Sequence, residues 1–339
     1  MKAVIYTKFG PPEVLQLAEV EKPLPGDREV LIRIDATTVT RYDCWVRSFK
    51  APTRLLASLL GMNIGLKKPR QPLLGTELAG EVEAVGKDVT LFRKGDHVFG
   101  YPGMSTGAYA EYICLPEDGV LARKPASMTI EEAAAVQQGA LTALFFLRRG
   151  RIQSGQKILV FGASGGVGLF AVQLAKHFGA EVTGVCSTAK LELVKSMGAD
   201  KVIDYTKEDF SRRGETYDIV FDTVGTSEFS GCTRSLNKNG IYLLATHGPA
   251  RYFRILWQNL TSSNKALSPL LKETIEDLVY VRELVEDGEL RASIDRSFPL
   301  EEAAAAHRYV ESGEKKGQVV LTVGHDGKTK QALAPDDAV

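Results

Sequence analysis

A glycine-rich junction between an apolar strand and a helix constrains this chain more than any other feature. Residues 156 to 168 read QKILVFGASGGVG, and LFAVQLAKHFG then has the pattern of a helix. Glycine permits a tight turn, and main chain without Cβ atoms can approach a pyrophosphate at a helix N-terminus. The context predicts a dinucleotide site, with a glycine-rich turn that binds nothing as the alternative. The candidate cofactor-binding residues are Gly162, Ala163, Ser164, Gly165, Gly166, Val167 and Gly168.

The end of the next predicted strand indicates which dinucleotide would bind. An acid about 20 residues further on would hold the ribose 2′-hydroxyl of NAD. This strand instead ends in Cys186 and Ser187, and Lys190 follows. Because a hydroxyl donor and a positive charge suit a 2′-phosphate, the sequence favours NADPH over NADH. The alternative for Lys190 is an exposed lysine with no ligand.

Two sequence patterns divide the 339 residues. Residues 1 to 123 contain short apolar runs separated by Gly and Pro, a pattern typical of a β-rich domain. From residue 124 helical segments alternate with strands, beginning with one helical stretch at 129–149. Such alternation is typical of a parallel sheet with right-handed crossovers. We therefore predict an α/β fold.

Charge and cysteine usage exclude several functional classes. Lys and Arg number 42, as do Asp and Glu, so no global electrostatic case for nucleic-acid binding exists. The four cysteines lie far apart, which argues against a disulfide framework and a cysteine-rich zinc site. No leader-like pattern or apolar run of about 18 residues is present. These features predict a cytoplasmic protein.

Further segments carry a resemblance to a known family: LLGTELAGEVEAVG, KGDHVFGY, GADKVIDYT and DIVFDTVG. With the glycine junction, they resemble the medium-chain dehydrogenase/reductase superfamily, in its zinc-independent quinone oxidoreductase (zeta-crystallin-like) branch, over residues 1 to 323. Residues 326–339 are polar and have no apolar period, which predicts a mobile tail. The resemblance implies a GroES-like β-rich catalytic domain at 1–123 and 288–325 and a Rossmann doubly wound NADPH-binding domain at 124–287. It also implies a homodimer and places Tyr205 near the adenosine 2′-phosphate.

Zinc-dependent members of this superfamily hold a catalytic zinc with ligands that this chain lacks. At the corresponding positions stand Thr40, Thr76 and Gln138, none of which is a useful zinc ligand. The four-cysteine lobe of the structural zinc is absent as well. We therefore expect no metal.

Without a metal, a substrate oxygen must be polarised by hydrogen bonds, which favours acceptors that are already activated. We predict NADPH-dependent reduction of quinones or α,β-unsaturated carbonyls by hydride transfer. One alternative is an aldehyde or alcohol oxidoreductase of the same superfamily. Another is a low-turnover NADPH-binding protein with a structural or sensing role.

The segment VTRYDCW supplies the candidate catalytic residue. Thr40 and Asp43 have the spacing of a capping box, which predicts that a helix begins here. By the resemblance, Tyr42 stands where zinc-dependent relatives place the hydroxyl of their proton relay, and its phenol could donate to a substrate oxygen. A half-buried aromatic with no catalytic role is the equal alternative.

Two segments, residues 49–70 and 251–260, are apolar and basic and lengthen the chain relative to short family members. We expect both to act as lids over the substrate cleft. The alternative is peripheral contact with an anionic membrane, where a long-tailed quinone would be available.

Overall fold

The computed structural model describes residues 1–49, 65, 67–103, 106–245 and 249–325, with the side chains of 249–252 excepted. The expected tail at 326–339 and most of the expected lid at 49–70, namely residues 50–64 and 66, lie outside these residues. Among the helices of the described ranges, none is both long and apolar enough to cross a bilayer.

The elements follow one another in two groups. The strands are β1 Lys2–Ile5, β2 Gln16–Glu19, β3 Glu29–Thr38, β4 Leu78–Val85, β5 His97–Gly100, β6 Tyr112–Pro116, β7 Leu121–Arg123, β8 Lys157–Phe161, β9 Glu181–Cys186, β10 Lys201–Asp204, β11 Tyr217–Asp222, β12 Leu236–Leu244, β13 Lys265–Leu267, β14 Ile294–Pro299 and β15 Gln318–Thr322. The α-helices are α1 Arg41–Arg47, α2 Ile130–Ala135, α3 Gln137–Arg149, α4 Gly166–His177, α5 Leu191–Ser196, α6 Phe229–Arg234, α7 Pro249–Thr261, α8 Ile275–Glu286 and α9 Ala303–Ser312.

The chain forms two compact units. The first unit comprises residues 1–124, 296–314 and 319–339, and the second comprises 125–295 and 315–318. The second unit therefore continues to Asp295, eight residues beyond the end at 287 that the sequence predicts for the cofactor domain.

The second unit contains a six-stranded sheet in the order β10-β9-β8-β11-β12-β13, and every pairing in it is parallel. Numbered from β8, this order is 3-2-1-4-5-6, the arrangement of a doubly wound dinucleotide-binding sheet. The predicted α/β fold with a parallel sheet is confirmed. In such a sheet, ligands bind outside the carboxyl ends of the strands where the order reverses, here between β8 and β11.

The first unit is built from antiparallel strands. A seven-stranded sheet runs β14-β15-β3-β4-β5-β7 with β6 paired to β3, and β1 and β2 form a separate pair. Its core joins inward residues of these strands to α1 and α9, which contribute Cys44, Val46, Ala306 and Val310. The core thus fixes α1, the helix that carries Tyr42.

The stretch at 129–149 is helical as predicted, but it is divided into two helices. The chain forms α2 and α3, separated at Val136. The side-chain amide of Gln137 donates to Ala133 O at 2.8 Å, the carbonyl that the main-chain N–H of Gln137 would use in an uninterrupted helix. A buried side chain thus competes with the helix at this turn.

A histidine holds the last described residues to the first unit. His325 Nε2 lies 2.9 Å from Ile34 O and 3.4 Å from the carboxylate of Asp35. The bond to Asp35 raises the pKa of His325, against burial and the charge of Arg33. Burial raises the pKa of Asp35, but the combined effect of His325 and Arg33 is larger and opposite. The pKa of Asp35 is therefore below its usual value.

These directions predict a pH window for stability. The contribution of His325 is full below its unfolded pKa of about 6.5 and is lost as pH rises through the raised folded value, whereas that of Asp35 is lost as pH falls below about 4. We expect His325→Gln to lower the free energy of unfolding more at about pH 5.5 than at about pH 9. Urea unfolding at the two pH values measures this, with His97→Gln, an exposed histidine, as the control. An equal loss at both pH values would contradict the pairing.

Candidate active site

The glycine junction is shaped by close contacts that exclude side chains. Gly162 has φ +79°, and a Cβ there would lie 2.2 Å from Val224 Cγ2. A Cβ at Gly168 would lie 2.1 Å from Gly162 O, so α4 packs directly on the turn that follows β8. Only glycine fits at these two positions.

The start of α4 presents main chain rather than side chains. Gly165 is the N-cap residue, and its amide donates to Gly162 O at 2.9 Å. Gly165, Gly166 and Val167 are partly exposed, whereas Ala163 and Ser164 are buried. The first N–H groups of a helix have no partner within the helix and carry the positive end of its dipole. A cradle of this shape fits a dinucleotide pyrophosphate.

Gly166 lies against the side chain of Gln318. A Cβ there would lie 3.1 Å from Gln318 Oε1, and Gln318 Nε2 donates to Gly166 O at 3.2 Å. The segment 315–318 thus closes on the cradle within the second unit.

The structure brings the other predicted cofactor residues to the same sheet edge. The amides of Gly162 and Ala163 both donate to Val185 O at 3.0 Å, which joins the cradle to the end of β9. Ser187 follows β9 and begins the 3-10 turn that contains Lys190, and Tyr205 N donates to Cys186 O at 3.2 Å. Tyr205 is 55% exposed.

Sequence reasoning missed an acid at this edge. Asp204 ends β10 opposite Cys186 in the parallel register. Its carboxylate accepts hydrogen bonds from Thr188 and Thr206 hydroxyls and from Thr206 N, and Lys207 Nζ lies 3.7 Å away. The hydroxyl donors lower the pKa of Asp204 to about 2, so it is charged at neutral pH. The segment VIDYT contains it, but only the pairing of β9 with β10 shows where it lies.

A second missed residue shapes the loop after β11. Asp222 is fully buried and accepts from Val224 N at 3.0 Å, from Gly225 N at 2.7 Å and from the Ser227 hydroxyl. Thr223 Oγ1 donates to Phe161 O at 3.0 Å. This buried carboxylate holds the loop against the end of β8, where the order of the strands reverses.

In the first unit, the predicted capping box at the start of α1 is confirmed. Asp43 N donates to Thr40 Oγ1 at 3.2 Å, and Thr40 N donates to the Asp43 carboxylate at 2.9 Å. The same carboxylate accepts from Gly75 N at 3.0 Å, which ties α1 to the segment Gly75-Thr76-Glu77. Burial raises the pKa of Asp43, against four hydrogen bonds that lower it.

Tyr42 lies half-buried on α1 and packs against the core of the first unit. Its ring centroid is 6.0 Å from that of Trp45. Burial raises the pKa of the neighbouring Tyr6, and the negative charge of Asp43 raises it further. A phenol therefore stands in the first turn of the predicted helix, which the capping box fixes.

The positions of the zinc ligands hold a poor donor set. Thr40 Oγ1 is bonded to Asp43, and Thr76 Oγ1 is buried without a hydrogen-bond partner in the part of the chain described. Gln138 is half-buried on α3 of the second unit. Among the described residues no group of three His, Cys, Asp or Glu side chains could hold a metal ion. These residues do not fit zinc.

A buried chain of polar groups underlies α1. Cys44 Sγ lies 3.4 Å from His307 Nδ1, and His307 Nε2 lies 3.0 Å from the Tyr109 hydroxyl. Burial lowers the pKa of His307 to about 3 and raises that of Cys44 to about 12, so both are neutral at physiological pH. These three polar groups pack α1 against α9, and none of them is a charged base.

Comparison with known proteins identifies both units. Residues 26–126 match the alcohol dehydrogenase GroES-like domain, and residues 197–321 match a family described as zinc-binding dehydrogenase. The predicted GroES-like fold is confirmed. A chloroplastic quinone-oxidoreductase homolog of Spinacia oleracea is 34% identical over 95% of this chain and 98% of that protein. The 2-methylene-furan-3-one reductase of Solanum lycopersicum is 34% identical over 95% of this chain and 79% of that protein.

Solved structures show the same relationship. The quinone oxidoreductase of Coxiella burnetii has a TM-score of 0.84 at 31% identity, covering 96% of this chain and 99% of that one. A mycobacterial protein complexed with NADPH has a TM-score of 0.81 at 29% identity, covering 95% and 100%. An NAD-dependent alcohol dehydrogenase has a TM-score of 0.81 at 30% identity, covering 96% and 100%.

The buried tether at Asp43 leads to a stability prediction. Asp43→Ala should lower the free energy of unfolding by roughly 2–4 kcal/mol, because it leaves the buried amides of Thr40 and Gly75 without acceptors. Glu132→Ala is the matched control: Glu132 closes the exposed capping box of Thr129 at the start of α2. Its loss should cost about 1 kcal/mol or less. Equal losses in chemical denaturation would show that the bond to Gly75 adds nothing.

Proposed function

The chain belongs to the medium-chain dehydrogenase/reductase superfamily as a quinone oxidoreductase-like oxidoreductase, and we propose that it reduces quinones or α,β-unsaturated carbonyls with NADPH, by hydride transfer and without zinc. The observation that carries this proposal is the set of side chains at the zinc positions, which includes Thr40 and Thr76. The nearby carboxylate, that of Asp43, already accepts hydrogen bonds from Thr40 and Gly75. Hydrogen bonds alone polarise an acceptor less than a metal ion does. Conjugated acceptors need the least polarisation, and the relatives named quinone oxidoreductase and 2-methylene-furan-3-one reductase support this substrate class.

The cofactor would be held chiefly by main chain. The cradle of residues 162–168 offers amides to the pyrophosphate, and the nicotinamide, when bound, supplies the hydride. Ser187, Lys190 and Tyr205 at the ends of β9 and β10 would hold the 2′-phosphate, Lys190 by charge. Structural neighbours include both an NADPH complex and an NAD-dependent enzyme, so the preference for NADPH rests on these residues.

Asp204 bears on this preference because a carboxylate near a 2′-phosphate would repel it. Its charge is already engaged by Thr188, Thr206 and Lys207. Burial and the charge of Asp204 raise the pKa of Cys186, and the positive charge of Lys190 opposes them. Lys190 and Asp204 thus act on the same strand end with opposite charges. The basic side chains therefore compensate the acid.

After hydride transfer to a conjugated carbon, the enolate or quinol oxygen must gain a proton. In this proposal the phenol of Tyr42 donates that proton. The capping box and the bond from Asp43 to Gly75 act as positioning contacts that hold the first turn of α1.

A panel of acceptors tests the function directly. We expect NADPH oxidation with 1,4-benzoquinone, 9,10-phenanthrenequinone and an enone to exceed that with an aldehyde, and to persist after treatment with a chelator. A higher rate with the aldehyde would indicate the alcohol dehydrogenase alternative. Tight NADPH binding with negligible turnover on every acceptor would indicate the structural or sensing role.

The compartment and the oligomer stay predictions: we propose a cytoplasmic homodimer. Relatives of this chain include chloroplastic and mitochondrial proteins, so fractionation of the native cell is the relevant measurement. Sedimentation velocity of the purified chain measures the oligomer.

Lys190 should distinguish the two dinucleotides. We expect Lys190→Ala to weaken NADPH binding by roughly 1.5–3 kcal/mol, about ten- to a hundredfold, and to leave NADH nearly unchanged. Calorimetric titration measures both. Lys195→Ala is the control, since this exposed lysine on α5 pairs with Glu192. An equal loss for both dinucleotides would make Lys190 a structural residue.

Tyr42→Phe should separate proton donation from packing. With the ring retained, NADPH affinity should be unchanged, while kcat on enones should fall by about a hundredfold. Quinones should lose less, because their reduced oxygens are weaker bases that solvent can protonate. Tyr112→Phe, on β6 beside Lys22, is the matched control. An unchanged kcat for every acceptor would remove Tyr42 from the mechanism.

A further inference from the structure

Helix α7 carries an apolar face that the second unit leaves exposed. The side chains on this face recur at helical spacing: Phe253 is 74% exposed, Leu256 47%, Trp257 69% and Leu260 83%. Leu270, after β13, is 93% exposed. A groove of about 470 Å³ between α6 and α7 is continuous with this face and is lined by residues such as Phe229, Phe253 and Trp257.

The opposite face of α7 is fixed to the sheet. Ile255 is buried in the core of the second unit. Asn259, one turn later, makes two hydrogen bonds with the main chain of Ala266 in β13. Asn259 Nδ2 donates to Ala266 O at 2.9 Å, and Ala266 N donates to Asn259 Oδ1 at 2.8 Å. These contacts set the rotation of the helix, so its aromatic residues point outward as a consequence of the fold.

The stretch of sequence that contains α6, α7 and β13 carries charges of one sign. Residues 229–272 contain no Asp or Glu, whereas about five would be expected in such a stretch from 42 in 339 residues. They contain six Lys or Arg, although the whole chain has no net charge. Arg254 lines the groove, and Lys265 Nζ donates to Asn259 O at the end of α7. The nearest preceding acid, Glu228, accepts a hydrogen bond from Ser230 on the groove.

We propose that α7 docks on the surface of an anionic lipid bilayer, with Phe253, Leu256, Trp257 and Leu260 in the interface and the surrounding Lys and Arg at the headgroups. Aromatic and leucine side chains on one face of a helix with basic residues beside them are typical of helices that lie in a membrane interface. A second copy of this chain is a poorer occupant, because a two-fold axis would bring together two surfaces with the same excess of Lys and Arg. The proposal does not depend on the reductase activity.

Flotation with vesicles tests this without any substrate. The full-length protein should bind vesicles of phosphatidylcholine mixed with phosphatidylglycerol, bind pure phosphatidylcholine vesicles less, and dissociate as salt is raised, because salt screens the charges. Equal binding to both vesicle types, or no binding, would overturn the proposal.

Two variants separate the apolar and basic contributions. Phe253→Ser with Trp257→Ser should lower the partition coefficient by on the order of tenfold or more. Arg254→Gln with Lys265→Gln should lower it by about fivefold for each charge, the equivalent of about 1 kcal/mol per residue. The matched controls are Leu24→Ser with Leu91→Ser, and Lys87→Gln with Lys94→Gln, all exposed elsewhere. Controls that reduce binding as much as the α7 variants would overturn the assignment to α7.

Fluorescence locates the contact. The chain has two tryptophans, so Trp45→Phe leaves Trp257 as the reporter. Its emission should shift to the blue with anionic vesicles and be quenched by brominated acyl chains. An unshifted emission would overturn the proposal. So would sedimentation showing that the wild type is an oligomer and the Phe253/Trp257 variant a monomer, since a second copy would then cover this face.

Discussion

The second unit depends on the contact between two glycines. A Cβ at residue 168 would lie 2.1 Å from Gly162 O, so α4 can approach β8 this closely only because Gly168 lacks a side chain. The same turn donates the amides of Gly162 and Ala163 to Val185 O at the end of β9. The same close contact therefore sets both the packing of α4 on the sheet and the position of the first amides of α4. A larger residue at 168 would displace the helix and the candidate phosphate cradle together.

In the first unit, buried carboxylates fix the position of the candidate catalytic helix α1. Asp43 is fully buried, and its hydrogen bonds to Thr40 and Gly75 offset the cost of removing a carboxylate from water. Glu77 is buried as well and accepts from the Thr38 hydroxyl. The first turn of α1, which presents Tyr42, is thus held by hydrogen bonds within the protein, and the residues described around it form no ligand set suited to a metal. This arrangement suits chemistry in which the acceptor supplies its own activation.

The features that could be predicted from the sequence are those encoded by neighbouring residues. The glycine junction and the capping box of Thr40 and Asp43 lie within one or two turns of chain, and local geometry fixes their meaning. The bond from Asp43 to Gly75 spans 32 residues, and the position of Asp204 depends on which strand pairs with β9. The break at Val136 depends on how a buried Gln137 is satisfied. Such partners are chosen by tertiary packing, which periodicity does not encode.

Asp204 also changes how the strand-end rule applies to this chain. The rule considers the residue that ends β9, where no acid stands, and infers room for a 2′-phosphate. The structure places an ionised carboxylate one strand away, opposite Cys186. Two threonine hydroxyls and Lys207 engage that carboxylate, and Lys190 adds a positive charge on the adjacent turn. The proposed preference for NADPH therefore depends on a balance of charge across two strand ends, because a carboxylate whose charge is paired with a nearby cation repels a phosphate less than an unpaired one.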